Sequence, residues 1–341
     1  MIFVFHSLPY IAPGVPIWVA QFLIEFQSGV TIFFVLSGFL IASKYQSYAF
    51  ESPSKYLKYV AIRLTRIFPL YLPLFLEKHS RWLYAVPDFI LHLALLKGFF
   101  KTTLLQGIVQ AWTLTVEITF YLLAPFLFWL TKKRTLSVAY FLVLLTGVAL
   151  TGIGMGLQNV GYNPHGFMPD FRFMAWSTFF GRSTEFFMGI VLSFYLKGIY
   201  KWPYLKASSV LPFTYVGLFL FCVVLSAIAI MGDGTQSGTS SWIGLFMHHT
   251  LLPFCIFIFL YGLIYEDTFL SQLLSVRLLL LLGNASYAFY LLHFGKVQQV
   301  VSDTISPNLW LQYISLWILA IGTYLLWEKP IYRWVKRALS T

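Results

Sequence analysis

Apolar runs of about 20 residues recur along the whole chain and restrict its fold more than any other feature. As a helix, each run is long enough to cross a hydrocarbon core about 30 Å thick. Charged residues make up only 10% of the chain, against about a quarter in soluble domains. In lipid the backbone must pair with itself, so only helices or a closed barrel can span the membrane. The runs lack the alternation of barrel strands, which predicts an all-α, polytopic membrane helix bundle.

The runs predict about ten transmembrane helices in a single integral-membrane domain, residues 1–341. An eleventh apolar run, Phe89–Phe100, would reach only about 18 Å as a helix, which predicts an interfacial or re-entrant segment. The ten predicted spans are Met1–Tyr10, Ser28–Lys44, Tyr59–Leu76, Ala111–Leu130, Leu136–Gly156, Thr184–Leu196, Ser208–Met231, Trp242–Ile264, Leu278–Phe294 and Leu309–Trp327.

Basic residues are unevenly divided between the two predicted sides of the bundle. If the C-terminal tail "EKPIYRWVKRALS" is cytoplasmic, alternation places 16 of the 23 lysines and arginines on the same side. Positive loops face the cytoplasm, so both termini are predicted to be cytoplasmic. The net charge of +11 comes from basic clusters between the spans, where loops lie beside anionic membrane lipids. We therefore expect membrane lipids as partners and no nucleic acid.

The first predicted span is too short. Nine residues of helix, Met1 to Pro9, cover about 14 Å, roughly half of a membrane. Either the protein begins further upstream or the chain has lost half of its first helix, and we favour the first interpretation.

Two arginines in "KYLKYVAIRLTRIFPLYLPLF" suggest an anion site. Arg63 and Arg66 are three residues apart, so on a continuous helix they share a face at the cytoplasmic mouth of a span. They could simply anchor the helix in the membrane, but paired guanidinium groups also suit bidentate contacts with phosphate. Pro69 and Pro73, with Tyr71 between them, are expected to kink this helix and open a cavity beside the arginines.

Glu117 and His6 are the ionisable residues best placed for chemistry. Glu117 lies inside an apolar run, where a carboxylate either faces a functional cavity or forms a structural ion pair. His6 is expected at the outer end of the first helix, as a hydrogen-bonded filler or as a proton acceptor near neutral pH. Tyr121, on the helix of Glu117, suits packing, and His293 is a weaker candidate than His6.

Other chemistries find little support. No histidine–carboxylate spacing predicts a metal site, although His248 and His249 stand together near the outer end of a predicted span. Cys222 and Cys255 lack metal-site spacing. The sequence contains no Walker A motif, no G-x-S-x-G motif and no dinucleotide-binding fingerprint.

Taken together, these residues resemble the acyltransferase-3 family, the bacterial membrane O-acyltransferases that modify surface glycans. The most specific pieces are "FFVLSGFLI" and "WTLTVEITFY", and the matches run in order along almost the whole chain. They are "FHS" at 5–7, "GVTIFFVLSGFLI" at 29–41, "RLTRIFPLYL" at 63–72, "WTLTVEITFYLLAP" at 112–125, "FFMGIVL" at 186–192, "LGNASYAFYLLH" at 282–293 and "WEKP" at 327–330.

The resemblance implies an acyl-CoA donor, commonly acetyl-CoA, and a glycan or lipid-linked saccharide acceptor. It implies His6 as catalytic base and Arg63 and Arg66, with Tyr71 nearby, at the CoA phosphates. Ser37, in the run that forms the next helix beside His6, is a further candidate with Tyr121 and His293. Family members also carry an arginine about ten residues before the histidine, which would precede Met1, so we expect coding sequence upstream. The chain resembles the stand-alone type, without the esterase-like domain of another branch.

The leading hypothesis is an acyl-CoA-dependent membrane O-acyltransferase in which His6 takes the acceptor proton and Glu117 orients the imidazole. A transporter or flippase for a lipid-linked saccharide would also suit the many aromatic residues and the buried Glu117. A degenerate, inactive family member is a third possibility. The arginine pair favours the enzyme, because a flippase has no special use for two cytoplasmic guanidinium groups.

Overall fold

The computed structural model describes residues 1–46, 52–79, 86–199 and 211–339. It is 82% helical, and these residues form no strand, which confirms the all-α class. The described α-helices are α1 Ile2–His6, α2 Leu8–Ile11, α3 Ile17–Ile24, α4 Gly29–Tyr45, α5 Pro53–Leu64, α6 Phe68–His79, α7 Val86–Leu93, α8 Trp112–Lys133, α9 Leu136–Asn159, α10 Phe171–Ser177, α11 Phe179–Leu196, α12 Phe213–Ile230, α13 Trp242–Phe246, α14 Leu252–Tyr265, α15 Phe269–Leu274, α16 Arg277–Leu292, α17 Lys296–Thr304, α18 Leu309–Thr323 and α19 Lys329–Ala338.

Within the described ranges, six helical stretches are long and apolar enough to cross a membrane. Two further helix pairs qualify together but are bent, α5 with α6 by 57° and α16 with α17 by 92°. By length and composition, the described residues therefore hold six candidate spans, or up to eight if each bent pair crosses once; the sequence predicted about ten. The six are Ile17–Tyr45, Val109–Lys133, Leu136–Asn159, Phe213–Ile230, Trp242–Tyr265 and Leu309–Ala338; residues 208–210 of a predicted span lie outside the described residues.

Two of the ten predicted spans correspond neither to one of the six candidates nor to a bent pair. The segment Met1–Tyr10 is not one helix, because α1 ends at His6 and α2 begins at Leu8. The predicted span Thr184–Leu196 belongs to the 18-residue helix α11, which carries Arg182 and Glu185 and is not among the six apolar spans. Charged side chains lower the apolar character that a membrane crossing requires.

The described residues pack as two compact units. Unit 1 comprises Met1–Gln46 and Thr184–Leu281, and unit 2 comprises Ser47–Ser183 and Leu282–Thr341. The single domain over residues 1–341 stays a prediction.

In unit 1, two glycines let α4 and α11 approach closely. A β-carbon on Gly38 would lie 2.1 Å from the carbonyl oxygen of Phe186, and one on Gly189 would lie 2.0 Å from that of Val35. Small residues at such a contact let backbones meet, as in membrane helix pairs generally. The glycine of "LSGF" is therefore needed for packing, and the neighbouring Ser37 is buried.

A buried carboxylate fixes the long loop of unit 1. Glu25 lies at the end of α3 and accepts hydrogen bonds from the backbone N–H of Gly238, at 2.8 Å, and from the Ser237 hydroxyl, at 2.9 Å. Gln21, one turn earlier, donates to the carbonyl of Gly232 at 2.9 Å. These bonds satisfy backbone groups of the segment that links α12 to α13.

In unit 2, the predicted interfacial segment forms the short helix α7 and a 3₁₀ turn, Lys97–Phe99. Neither is among the candidate spans, as the sequence predicted. Lys97 is fully buried, and its ammonium donates to the carbonyl of Ile108 at 3.0 Å. The backbone N–H of Gly98 donates to Thr115 on α8 at 3.1 Å, so this turn packs directly on α8.

Candidate active site

A buried guanidinium group lies at the centre of the candidate site in unit 2. Arg63 occupies the last turn of α5 and is only 7% exposed. Its guanidinium carbon lies 5.9 Å from the ring centre of Tyr59 and 5.7 Å from that of Tyr121. Both rings are within cation–π range, so two aromatic faces hold the cation where water is largely excluded.

Glu117 belongs to the same cluster. It lies one turn before Tyr121 on α8, about 6 Å along the helix axis, and both side chains are buried. The Tyr121 hydroxyl donates a hydrogen bond to Oε1 of Glu117. The Tyr121 side chain therefore contacts both the Glu117 carboxylate and the Arg63 guanidinium. The negative charge of Glu117 offsets the buried positive charge of Arg63.

The structure corrects the expected position of the arginines. The sequence placed Arg63 and Arg66 on one helix face, but α5 ends at Leu64 and Arg66 lies in the break before α6. Arg63 is buried against the middle of α8, whereas Arg66 is exposed. One cation is thus held inside the unit and the other stands at its surface.

The break between α5 and α6 is held by side chains of the C-terminal helices. Tyr287 donates to the carbonyl of Ile67 at 2.7 Å, and Trp327 donates to the carbonyl of Pro69 at 2.9 Å. These bonds satisfy carbonyl groups near the start of α6. The 57° bend precedes Pro69, consistent with the restriction that proline imposes on the residue before it. Pro73 lies inside α6.

Tyr71 was predicted to bind the donor, and the structure shows a packing role. Its side chain is buried, its ring stacks on Phe75 at 5.8 Å between centroids, and its hydroxyl donates to the carbonyl of His92 at 2.7 Å. These contacts fasten α6 to α7. Donor binding by Tyr71 stays a prediction.

His293 also lies in local packing. It follows the end of α16, is 2% exposed and stacks on Phe289 at 5.7 Å between centroids. Its Nδ1 lies 2.8 Å from the carbonyl oxygen of Tyr290. The Tyr290 hydroxyl in turn lies 2.8 Å from that of Thr113 on α8. These contacts of His293 are thus with α16 itself, and it is Tyr290 that links α16 to α8.

His6, the predicted base, is the last residue of α1 in unit 1. Its ring is half-buried and meets Phe5 edge-on at 5.0 Å between centroids. Ile2, at the start of α1, lies beside Gly29, which begins α4. His6 and Glu117 belong to different units, and their pairing stays a prediction.

Sequence reasoning missed two buried charged groups on α11. Arg182 in unit 2 is 1% exposed, and its guanidinium lies 5.7 Å from the ring centre of Trp112 and 5.5 Å from that of Trp176. In unit 1, Glu185 lies beside two histidines. Two ionisable residues in "FFGRSTEFF" were the available signal, because charges in an apolar run commonly mark sites.

The helices and the buried charged cluster define a polytopic α-helical integral membrane protein. The chain belongs to the acyltransferase-3 family, whose model, described as an acyltransferase domain, matches residues 1–328. No solved structure matches it.

Two relatives come from Staphylococcus aureus. The O-acetyltransferase OatA of strain NCTC 8325 is 25% identical over 302 residues, covering 81% of this chain and 46% of the relative. A protein of strain COL named "Putative O-acetyltransferase" is 22% identical over 349 residues, covering 90% of this chain and 52% of the relative. The chain thus spans about half the length of the curated relatives it matches.

Proposed function

We propose that the chain is an acyl-CoA-dependent O-acyltransferase of the bacterial cytoplasmic membrane. It would move an acyl group, acetyl in the simplest case, from cytoplasmic acyl-CoA to a hydroxyl of a surface or lipid-linked glycan. Family membership and the names of the O-acetyltransferase relatives support O-acyl transfer.

The arrangement of Arg63 is the observation that supports the donor most directly. The guanidinium group lies within cation–π range of two tyrosine rings, and its planar fork suits directional bonds to a phosphate oxygen. Exposed Arg66 adds a second positive charge three residues further on. The proposed site therefore offers CoA phosphates one buried and one accessible cation.

The proposed transfer needs one base. The acceptor hydroxyl oxygen attacks the thioester carbonyl carbon, a C–O bond forms, and the C–S bond breaks to release CoA as thiolate. Neutral His6 takes the hydroxyl proton during attack, and the imidazolium can then return a proton to the leaving thiolate. The proton balance therefore closes with a single histidine.

We assign Glu117 two connected tasks. Its carboxylate accepts the hydrogen bond from Tyr121 and offsets the charge of Arg63. In the proposed mechanism it also orients His6 and stabilises the imidazolium. Glu117→Gln removes the negative charge and nearly preserves the shape, so it tests both tasks.

The test uses purified chain in lipid nanodiscs with isotope-labelled acetyl-CoA and glycan isolated from a strain lacking the gene. We expect the glycan to gain the mass of labelled acetyl groups with wild type and not with Arg63→Ala. A chain that leaves the glycan mass unchanged but carries lipid-linked saccharide across the bilayer would favour the flippase. Neither acylation nor transport would indicate the inactive family member.

A further inference from the structure

Three ionisable side chains meet inside unit 1, apart from the residues assigned to acyl transfer. Glu185 comes from α11, and His248 and His249 come from the turn between α13 and α14. One ligand atom from each lies within 4.8 Å of the other two. Glu185 and His248 are fully buried, and His249 is 6% exposed. Nδ1 of His249 already lies 3.2 Å from Oε1 of Glu185.

The backbone at the histidines is unusual and brings them together. Consecutive residues on an α-helix point in different directions and do not face each other. The segment Met247–Leu251 is instead a π-helical turn, a feature that often occurs at functional sites. There the rings of His248 and His249 meet edge-on with centroids 4.9 Å apart. The wider π-helical turn therefore lets two adjacent histidine side chains approach the same ligand position.

The carboxylate has a supporting hydrogen bond. The hydroxyl of Thr31, which is fully buried on α4, donates to Oε1 of Glu185 at 3.2 Å. Bonds of this kind orient carboxylate ligands in metal sites and are often needed for full affinity. α4, α11 and the π-helical turn thus converge on one small volume.

We propose that Glu185, His248 and His249 bind one divalent transition-metal ion of the zinc class. In a tetrahedral zinc site, bonds of about 2.1 Å place ligand atoms about 3.4 Å apart. The pair His249–Glu185, at 3.2 Å, is close to this spacing, and the other pairs, all within 4.8 Å, need a contraction of at most about 1.4 Å by side-chain rotation. Two imidazoles with one carboxylate leave a fourth position for water.

The donor set also indicates the kind of ion. Imidazole nitrogen suits zinc, copper, iron and nickel, whereas magnesium and calcium prefer an all-oxygen set. A metal here would link α11 to the π-helical turn. A metal that binds the folded chain but not the unfolded chain would raise the unfolding temperature.

The test uses full-length chain in nanodiscs, purified with a tag that contains no histidine and stripped with a chelator. Zinc chloride is titrated by calorimetry, and bound metal is counted by mass spectrometry after desalting. We expect one zinc ion per chain and a rise in unfolding temperature on loading. Cobalt substitution should give the visible absorption of a tetrahedral nitrogen–oxygen site. Magnesium chloride at the same concentration should not bind.

Variants assign the site. His248→Gln, His249→Gln and Glu185→Gln should each lose stoichiometric zinc at concentrations that saturate wild type. Thr31→Val should keep the site but weaken it by about 10- to 100-fold. His92→Gln, which changes an equally buried histidine of unit 2, is the matched control and should retain one ion.

Two results would overturn the proposal. Wild-type chain that takes up neither zinc nor cobalt would show that the cluster is only a hydrogen-bonded pair beside a second histidine. Unchanged metal content in all three ligand variants would place the metal elsewhere. If a ligand variant fails to fold, the wild-type titration and the Thr31→Val affinity still decide the question.

Discussion

Replacing Arg63 by alanine should weaken donor binding more than any other single change in unit 2. The guanidinium lies within 6 Å of the ring centres of both Tyr59 and Tyr121, and the side chain is 7% exposed. A hydrogen bond to a charged group contributes about 1.5–3 kcal/mol, and its loss corresponds to roughly 10- to 150-fold weaker binding. Arg63→Lys should recover only part of this, because the planar fork and its stacking are lost.

The measurement is acetyl-CoA affinity by calorimetry on folded, monodisperse protein in nanodiscs. Lys55→Ala is the matched control, since it removes one positive charge from an exposed position on the same helix. The control should bind within about twofold of wild type, as expected for a screened surface charge. Folded Arg63→Ala protein with wild-type affinity would refute the phosphate clamp and leave the arginine as a packing element.

Two further predictions concern packing and the acid. Gly38→Ala should lower the free energy of unfolding by about 1–3 kcal/mol, seen as a lower unfolding temperature, because its β-carbon would lie 2.1 Å from a backbone carbonyl of α11. Gly152→Ala on α9, which has open space around it, should not lower the unfolding temperature. Equal unfolding temperatures would contradict the close helix contact. Tyr121→Phe removes the hydrogen bond to buried Glu117 and should cost about 1–3 kcal/mol in the same assay. The exposed Tyr215→Phe should be neutral, and equal losses from both would contradict this role of the phenol.

The fold class could be predicted because hydropathy alone determines where helices can cross lipid. Runs such as Leu136–Gly156 and Trp242–Ile264 appear as helical spans with nearly the same limits. Hydropathy could not show that the chain breaks at Ser7 or turns sharply between Leu64 and Phe68. Pro69 and Pro73 did predict a kink near the second break, and tertiary partners also hold it, as the hydrogen bond from Trp327 to the carbonyl of Pro69 shows.

The candidate site could be predicted in composition but not in arrangement. Arg63, Glu117 and Tyr121 were each recognisable from sequence, yet their association needs the packing of α5 on α8. The sequence placed the arginines at the cytoplasmic mouth of one predicted span and Glu117 inside another, whereas one helical turn of α8 separates Glu117 from the ring that contacts Arg63.

The cluster of Glu185 with His248 and His249 could not be predicted from local sequence patterns. The carboxylate and the histidines are more than 60 residues apart in the chain, and the π-helical turn that joins the histidines has no recognised local motif in "MHHTL".

The proposed function depends above all on His6 as the base of an acyl-CoA-dependent transfer. The most direct measurement is the rate of labelled acetyl transfer to glycan by His6→Ala, Glu117→Gln and the double variant, with donor affinity measured on the same samples. We expect the rate for His6→Ala to fall by a factor of about 10²–10⁴ with donor affinity unchanged. The double variant should be little worse if the two residues act as a unit, and His293→Ala should lose much less. A His6→Ala protein that acylates glycan at the wild-type rate would rule out His6 as the catalytic base.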